Sequence, residues 1–159
     1  MLKIIALMMG CVMSVGVLAE AATDDKADSF EEIYVPTLEE YIKDNRAEFD
    51  KAVQEGRLKQ ARGEYASACK KNASIDTYCN CLDKVVAEQT DEFLFYDTWT
   101  SFWFYVQMQE AQKAGKAYRY KRLLLQSTQR DSLNRRVALA CGVIDDKTKK
   151  VVPFKPEGK

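Results

Sequence analysis

Four cysteines constrain the fold of this chain more than any other residues: Cys69, Cys79, Cys81 and Cys141. On a helix, residues two positions apart project about 200° from each other, so Cys79 and Cys81 do not readily bond to one another and each needs a different partner. A polar break near residue 74 predicts a helical hairpin in which position 69 faces position 79. This geometry favours a Cys69–Cys79 disulfide together with a Cys81–Cys141 disulfide.

A second pairing stays open, because helix ends are predictable from sequence only to about two to four residues. In this alternative Cys69 bonds to Cys81, and Cys79 bonds to Cys141. In either arrangement one disulfide locks the hairpin, and the other ties the C-terminal part of the chain to it.

The N-terminus has the features of a secretory signal peptide: a positively charged start, an apolar run and small residues before a cleavage site. We predict a signal peptide over residues 1–19, cleaved after Ala19, with Ala21 and Ala22 as alternative sites. The apolar run is shorter than the roughly 18 residues that a membrane-spanning helix needs, so we do not expect an integral membrane protein. Cleavage removes Cys11 and leaves an even number of cysteines, as two disulfides require. The sequence therefore predicts a periplasmic or secreted protein.

Three segments follow the predicted signal peptide. Residues 20–36 are predicted to be an acidic flexible lead, residues 37–142 a helical disulfide-stapled domain, and residues 143–159 a basic flexible tail. Thr37 and Glu40 form a capping-box pattern that marks the start of the first helix. By apolar periodicity the predicted helices cover roughly 38–55, 57–71, 76–89, 91–114, 116–127 and 132–141. No β-hairpin pattern is present, so the sequence predicts an all-α, five- or six-helix bundle stapled by two disulfides.

An aromatic block lies in the middle of the predicted domain, with eight aromatic residues between Phe93 and Tyr105. Helical periodicity places four residues on one inward stripe: Phe95, Trp99, Phe102 and Val106. We expect this helix to be the buried centre of the bundle. As an alternative, part of its aromatic surface, including Trp99 and Trp103, is a candidate binding surface for a partner or ligand.

The charged residues divide the chain into two halves of opposite sign. Residues 20–59 contain twelve acidic and six basic residues, whereas residues 113–159 contain thirteen basic and four acidic residues. The basic half opens with five cations that we take as a candidate binding surface: Lys113, Lys116, Arg119, Lys121 and Arg122. The alternative is that the oppositely charged helices simply pack side by side or are solvated. Export argues against nucleic acid as a ligand and favours an acidic protein or another anionic surface.

The chain contains no histidine, which removes the catalytic groups of most hydrolases and the commonest metal ligand. We predict no catalytic residue, no metal site and no cofactor. A cell-wall polymer hydrolase would need only a pair of carboxylates and remains an alternative. A thiol or metal-binding protein that uses Cys79 and Cys81 is a further alternative, although the Cys-x-Cys spacing differs from the usual Cys-x-x-Cys.

These observations lead to one functional expectation. We expect a small exported non-enzymatic protein-interaction module, such as an accessory subunit, an inhibitor or an immunity-type protein. Its expected partner is another protein in the exported compartment.

Overall fold

The computed structural model describes residues 33–72 and 75–156. The predicted signal peptide and most of the predicted lead, residues 20–32, lie outside the described residues. Within these ranges the chain forms seven helices and two short strands: α1 (Leu38–Asp44), α2 (Arg46–Gln54), α3 (Arg57–Asn72), α4 (Asp76–Ala87), α5 (Asp91–Lys113), α6 (Ala117–Gln129), α7 (Leu133–Cys141), β1 (Val143–Ile144) and β2 (Val151–Val152). The all-α prediction is confirmed.

The seventh helix arises because the first predicted helix breaks at Asn45. The backbone leaves helical geometry there, and the Asn45 side-chain amide donates a hydrogen bond of 2.9 Å to the carbonyl oxygen of Tyr41. Such local side-chain bonding competes with the helix and turns the following residues. As a result Val53, which would lie on the apolar face of one continuous helix, is exposed, and Ala52 is buried in its place. The predicted capping box of Thr37 and Glu40 is present at the start of α1.

The predicted helical hairpin is formed by α3 and α4, and the favoured disulfide pairing is confirmed. Cys69 bonds to Cys79, and Cys81 bonds to Cys141. The first bond therefore closes the hairpin, and the second attaches α7 to α4. Helix α4 begins at Asp76, as its predicted range does, and its N-cap residue is Ile75.

Helix α3 is less buried than its sequence indicates. Helical periodicity places Leu58, Tyr65, Ala68 and Cys69 on the inward side, but only Leu58 and Cys69 are buried, and Tyr65 and Ala68 are exposed. Helix α3 packs chiefly on α4, which leaves much of its surface exposed.

Among the described residues, buried apolar side chains form three clusters. Helix α5 contributes to each of them, as expected for a helix at the centre of the bundle. Near its start Phe93 and Leu94 pack with α4 and α7, and Tyr96 and Trp99 then pack against α1. Near its end Phe104 and Ala111 pack with Leu123 of α6 and with Ile33.

The prediction that α5 is buried nearly all round is wrong for its second half. Phe102, assigned to the inward stripe, is 65% exposed, and Tyr105 is 58% exposed. Two polar residues, Asp97 and Thr100, are buried instead. The physical reason is that Arg130 reaches these two residues and provides the hydrogen bonds that their burial requires.

The ends of the described chain also pack more closely than expected. A short β-hairpin was not predicted, but one is present: β1 and β2 pair antiparallel, with Val143 opposite Val152. Gly142 precedes β1 with φ of 82°, and a side-chain Cβ there would lie 2.5 Å from the Val152 carbonyl oxygen. At the other end, Ile33 from the predicted lead is buried.

Candidate interaction surface

Both tryptophans proposed as surface residues pack partly against the core: Trp99 against the α1 cluster that contains Tyr41, and Trp103 against the cluster that contains Ile33 and Leu123. The Trp99 ring stacks on Tyr41, with centroids 4.3 Å apart and 23° between the planes. The Trp103 ring meets Phe104 edge to face at 5.0 Å. Both indoles are half-buried, so only part of each remains available to a partner.

The five cations of the predicted binding surface are gathered by the turn between α5 and α6. Gly115 makes this turn with φ of 70°, a conformation that favours glycine. Lys113 is the last residue of α5, Lys116 is the N-cap of α6, and the remaining three lie in the first two turns of α6. We call these five residues the basic turn: Lys113, Lys116, Arg119, Lys121 and Arg122.

Helix electrostatics favour Lys113 at the C-terminus of α5 but do not account for the four cations at the start of α6. The N-terminus of a helix carries a partial positive charge, so anionic side chains are stabilising there and cations are not. The first turn of α6 contains no acidic residue. Within the described chain, Arg119 donates a hydrogen bond of 3.0 Å to Gln107 of α5, which links the two helices.

An exposed aromatic pair on α5 completes the surface, and its exposure was not predicted from the sequence. Phe102 and Tyr105 lie three residues apart and therefore on one side of the helix. Gln109 and Lys113 lie on the same side of the helix. Lys113 is about 16 Å from Phe102 along the helix axis, at 1.5 Å per residue. We call these four residues the outer α5 face. Gln109 and Lys113 could have indicated this exposure, because these polar residues lie on the same side of the helix as Phe102.

A buried polar anchor fixes the other side of α5. The Arg130 guanidinium donates hydrogen bonds of 2.7 Å to the Asp97 carboxylate and 2.8 Å to the Thr100 hydroxyl. It also donates a bond of 2.6 Å to the Ser101 hydroxyl, next to Phe102. Because Arg130 caps the C-terminus of α6, these bonds hold α5 and α6 in one register. These hydrogen bonds therefore fix the position of the helix that carries the outer α5 face.

A second arginine, Arg136, connects α7 to the start of α5. Its guanidinium lies 3.8 Å from the centroid of the Phe93 ring and donates hydrogen bonds to Asp131 and Gln89. The hydrogen bond from Arg136 holds the pKa of the Asp131 carboxyl below its ordinary value. Arg130 and Arg136 thus serve internal contacts and do not extend the basic turn.

An open cleft of about 550 Å³ lies between α2 and the start of α5. Its carboxylates include Asp50, paired with Arg46 at 3.0 Å, and Asp91, paired with Arg62 at 2.6 Å. Neither is the isolated carboxyl in an apolar pocket that acid catalysis in a glycosidase uses. The cleft therefore offers no specific support for the hydrolase alternative.

The thiol and metal alternative loses its proposed ligands. Cys79 and Cys81 are both bonded in disulfides, so their sulfur atoms are not thiolates. Across residues 33–72 and 75–156, no cluster of three or more acidic or cysteine side chains is arranged to hold a metal ion. In the same ranges, no helix combines the length and apolar character that crossing a membrane takes.

Comparison with known proteins adds no family to this description. No protein-family model, curated protein or solved structure matches the chain.

Proposed function

We propose that this chain is an exported, non-enzymatic protein-interaction module that binds an acidic partner protein through the outer α5 face and the adjoining basic turn. One observation carries the proposal. Phe102 and Tyr105 are neighbours on one face of α5 and are 65% and 58% exposed.

The exposed aromatic pair is suited to be the centre of an interface. Each aromatic side chain buries about 150 to 250 Å² when it is covered, and burial is worth about 25 cal/mol per Å² of apolar surface. Aromatic residues and arginine are enriched among the residues that dominate binding energy. The anchor formed by Arg130 holds α5 in place before binding, which reduces the conformational entropy that association would otherwise cost.

The basic turn supplies the second part of the recognition. Lys113 belongs to both the outer α5 face and the basic turn, so the apolar and cationic parts form one continuous strip. Cations at the rim of an interface accelerate association with an acidic protein and exclude basic ones. Export to the periplasm or the cell exterior is part of the proposal and is supported by the two disulfides, which persist in oxidising compartments.

Affinity capture from the exported fraction tests this function. The bait is the tagged mature chain, and the test variant combines Phe102→Ser with Tyr105→Ser. The matched control combines Tyr34→Ser with Leu139→Ser, because these residues are 66% and 57% exposed at other positions. Circular dichroism melting of all three proteins confirms that each bait is folded.

We expect the wild type and the control to retain the same acidic protein and the test variant to lose it. Equal capture by the test variant would refute the assignment of the outer α5 face. Capture of anionic lipid or cell-wall polymer in place of a protein would refute the partner class.

A further inference from the structure

A second open cleft, of about 410 Å³, lies between α5, the end of α6 and the first turns of α7. This volume is within the range of small-molecule sites. Helix α5 contributes Ser101, Phe104 and Met108, which are three and four residues apart and therefore share one side of the helix. That side lies about 100° around the helix from the outer α5 face. The cleft is therefore a separate surface.

Part of the cleft is apolar. Phe104 is buried in the core, and Met108 and Phe154 are half-buried and also line the cleft. Phe154 follows β2 and belongs to the segment predicted as a flexible tail, yet it forms one wall here. An apolar group placed against Met108 and Phe154 would remove their remaining surface from water.

The charges around the cleft favour an anion. Arg130 and Arg135 line it, and none of its lining residues is acidic. The charge of Arg130 is offset by Asp97 at 2.7 Å. Asp131 lies within electrostatic range of Arg135 but is bonded to Arg136 at 2.5 Å. Among the described residues, Arg135 is therefore the cation of the cleft that no ion pair offsets.

The polar side chains of the cleft have protons left to donate. The Arg135 guanidinium has five N–H groups, and one of them bonds to the Thr128 carbonyl oxygen at 3.2 Å. The Ser101 hydroxyl accepts a hydrogen bond from Arg130. The Ser132 hydroxyl accepts one from the backbone N–H of Arg135, and Ser132 is only 8% exposed. Within the described ranges neither hydroxyl donates to another group, so each keeps a proton for an acceptor.

We propose that this cleft is a second binding site, which takes a small monocarboxylate with an apolar body. The planar guanidinium of Arg135 matches the two oxygens of a carboxylate, and Ser101 and Ser132 are the further donors. The apolar body covers Met108 and Phe154. One unpaired positive charge suits a single negative charge better than the nearly two of a phosphate monoester. This site goes beyond the proposed function and does not rest on it.

A matched ligand series, followed in ¹H–¹⁵N NMR spectra of the mature chain, tests both parts of the site. Octanoate has the carboxylate and the apolar body, acetate has the carboxylate alone, and octanol has the apolar body alone. Each is used below the concentration at which it forms micelles. We expect octanoate to shift the amide signals of residues 127–135, with a Kd at least about tenfold lower than that of acetate or octanol.

Two outcomes of this series would overturn the proposal. Octanol binding as tightly as octanoate would show that the cleft does not recognise the negative charge. Octyl phosphate binding more tightly than octanoate would refute the monocarboxylate class.

The Arg135→Gln variant tests the cation, because glutamine keeps a side-chain donor but removes the charge. The matched control is Arg57→Gln, which removes one positive charge at a residue that is 49% exposed and lies outside the cleft. We expect the Kd for octanoate to rise at least about tenfold in Arg135→Gln and to stay unchanged in the control. Equal affinity of the two variants would overturn the role of Arg135. Circular dichroism melting confirms that both are folded.

The Phe154→Ala variant tests the apolar wall. It should weaken octanoate binding at least about threefold and leave acetate binding unchanged, because only octanoate has an apolar body to cover this wall. Val152→Ala, a change on the neighbouring strand at a residue that is 37% exposed, is the control. Unchanged octanoate binding in Phe154→Ala would contradict the placement of the apolar body.

The Phe102→Ser/Tyr105→Ser variant separates this site from the proposed function. It should lose the captured partner protein but bind octanoate with the wild-type Kd. Loss of octanoate binding in this variant would place the ligand on the outer α5 face and overturn the cleft as its site.

Discussion

The carboxylate of Asp97 accepts a hydrogen bond of 2.7 Å from the guanidinium of Arg130, a residue 33 positions later in the chain. Both side chains are shielded from water, at 9% and 17% exposed. The pair joins the first half of α5 to the end of α6. The pair explains why Asp97 and Thr100 are buried in a helix rich in aromatic residues, whereas Phe102 of the same helix is exposed.

Replacement of Asp97 by alanine should lower the free energy of unfolding by about 3 kcal/mol, because it leaves the arginine charge buried without its partner. Urea denaturation measures the change. Asp50→Ala is the matched control, since Asp50 pairs with Arg46 but is 46% exposed. The control should lose less than about 1 kcal/mol. Equal losses in the two variants would show that the buried pair contributes no more to stability than the exposed pair.

The two disulfides should differ in their contributions to stability. They close loops with sequence separations of 10 and 60 residues. In the loop-entropy model these separations correspond to about 3 and about 4 kcal/mol. We therefore expect the Cys81→Ala/Cys141→Ala variant to melt at a lower temperature than the Cys69→Ala/Cys79→Ala variant. The opposite order would contradict the entropic explanation.

Thr90 should contribute measurably to the start of α5. Its hydroxyl accepts a hydrogen bond of 3.1 Å from the backbone N–H of Phe93. Thr90→Ala removes this cap and should destabilise the protein by about 1 kcal/mol. Thr98→Ala is the control, because Thr98 bonds to the Leu94 carbonyl within the helix and caps nothing. A loss for Thr98→Ala as large as that for Thr90→Ala would argue against the cap.

Stability should decrease in acid partly through Glu40. The backbone N–H of Thr37, then the Thr37 and Tyr34 hydroxyls, hold the pKa of the Glu40 carboxyl below its ordinary value of 4.5. A carboxyl with a depressed pKa in the folded state stabilises the protein above its ordinary pKa, and this stabilisation is lost as the pH falls through the folded-state pKa. The free energy of unfolding should therefore decrease as the pH is lowered below about 4.5.

The Glu40→Gln variant tests this origin of the acid sensitivity, because glutamine preserves the capping box without titrating. It should lose less stability than the wild type between about pH 6 and about pH 3. Glu48→Gln, an exposed glutamate of α2, controls for the removal of one negative charge. An unchanged pH dependence in Glu40→Gln would exclude Glu40 as a contributor.

The large features of the fold were predictable from the sequence because strong local signals agreed. Apolar periodicity and capping residues located the helices, and the two-residue spacing of Cys79 and Cys81 excluded a bond between them. The favoured disulfide pairing followed from the position of the hairpin turn. Each of these arguments uses residues close in sequence or the fixed geometry of a helix.

The features that escaped prediction depend on residues distant in sequence. Asp97 and Thr100 resemble surface residues until Arg130, some thirty positions later, is seen to pair with them. Phe102 resembles a core residue for the complementary reason, since none of the described helices and strands buries its side chain, which is 65% exposed. The break at Asn45 did have a local signal, because asparagine inside a helix competes for backbone hydrogen bonds.

The basic turn was predictable as a cluster, because its five cations are close in sequence. What the sequence did not reveal is that the turn adjoins the exposed aromatic pair on one side and the start of the described chain at Ile33 on the other.

Titration of the purified captured partner against three proteins tests the central claim most directly: the wild type, the Phe102→Ser/Tyr105→Ser variant, and the Tyr34→Ser/Leu139→Ser control. Removal of two aromatic anchors at an interface centre should weaken binding by at least about tenfold, while the control keeps the wild-type Kd. A Kd unchanged in the Phe102→Ser/Tyr105→Ser variant would contradict the assignment of α5 as the contact surface.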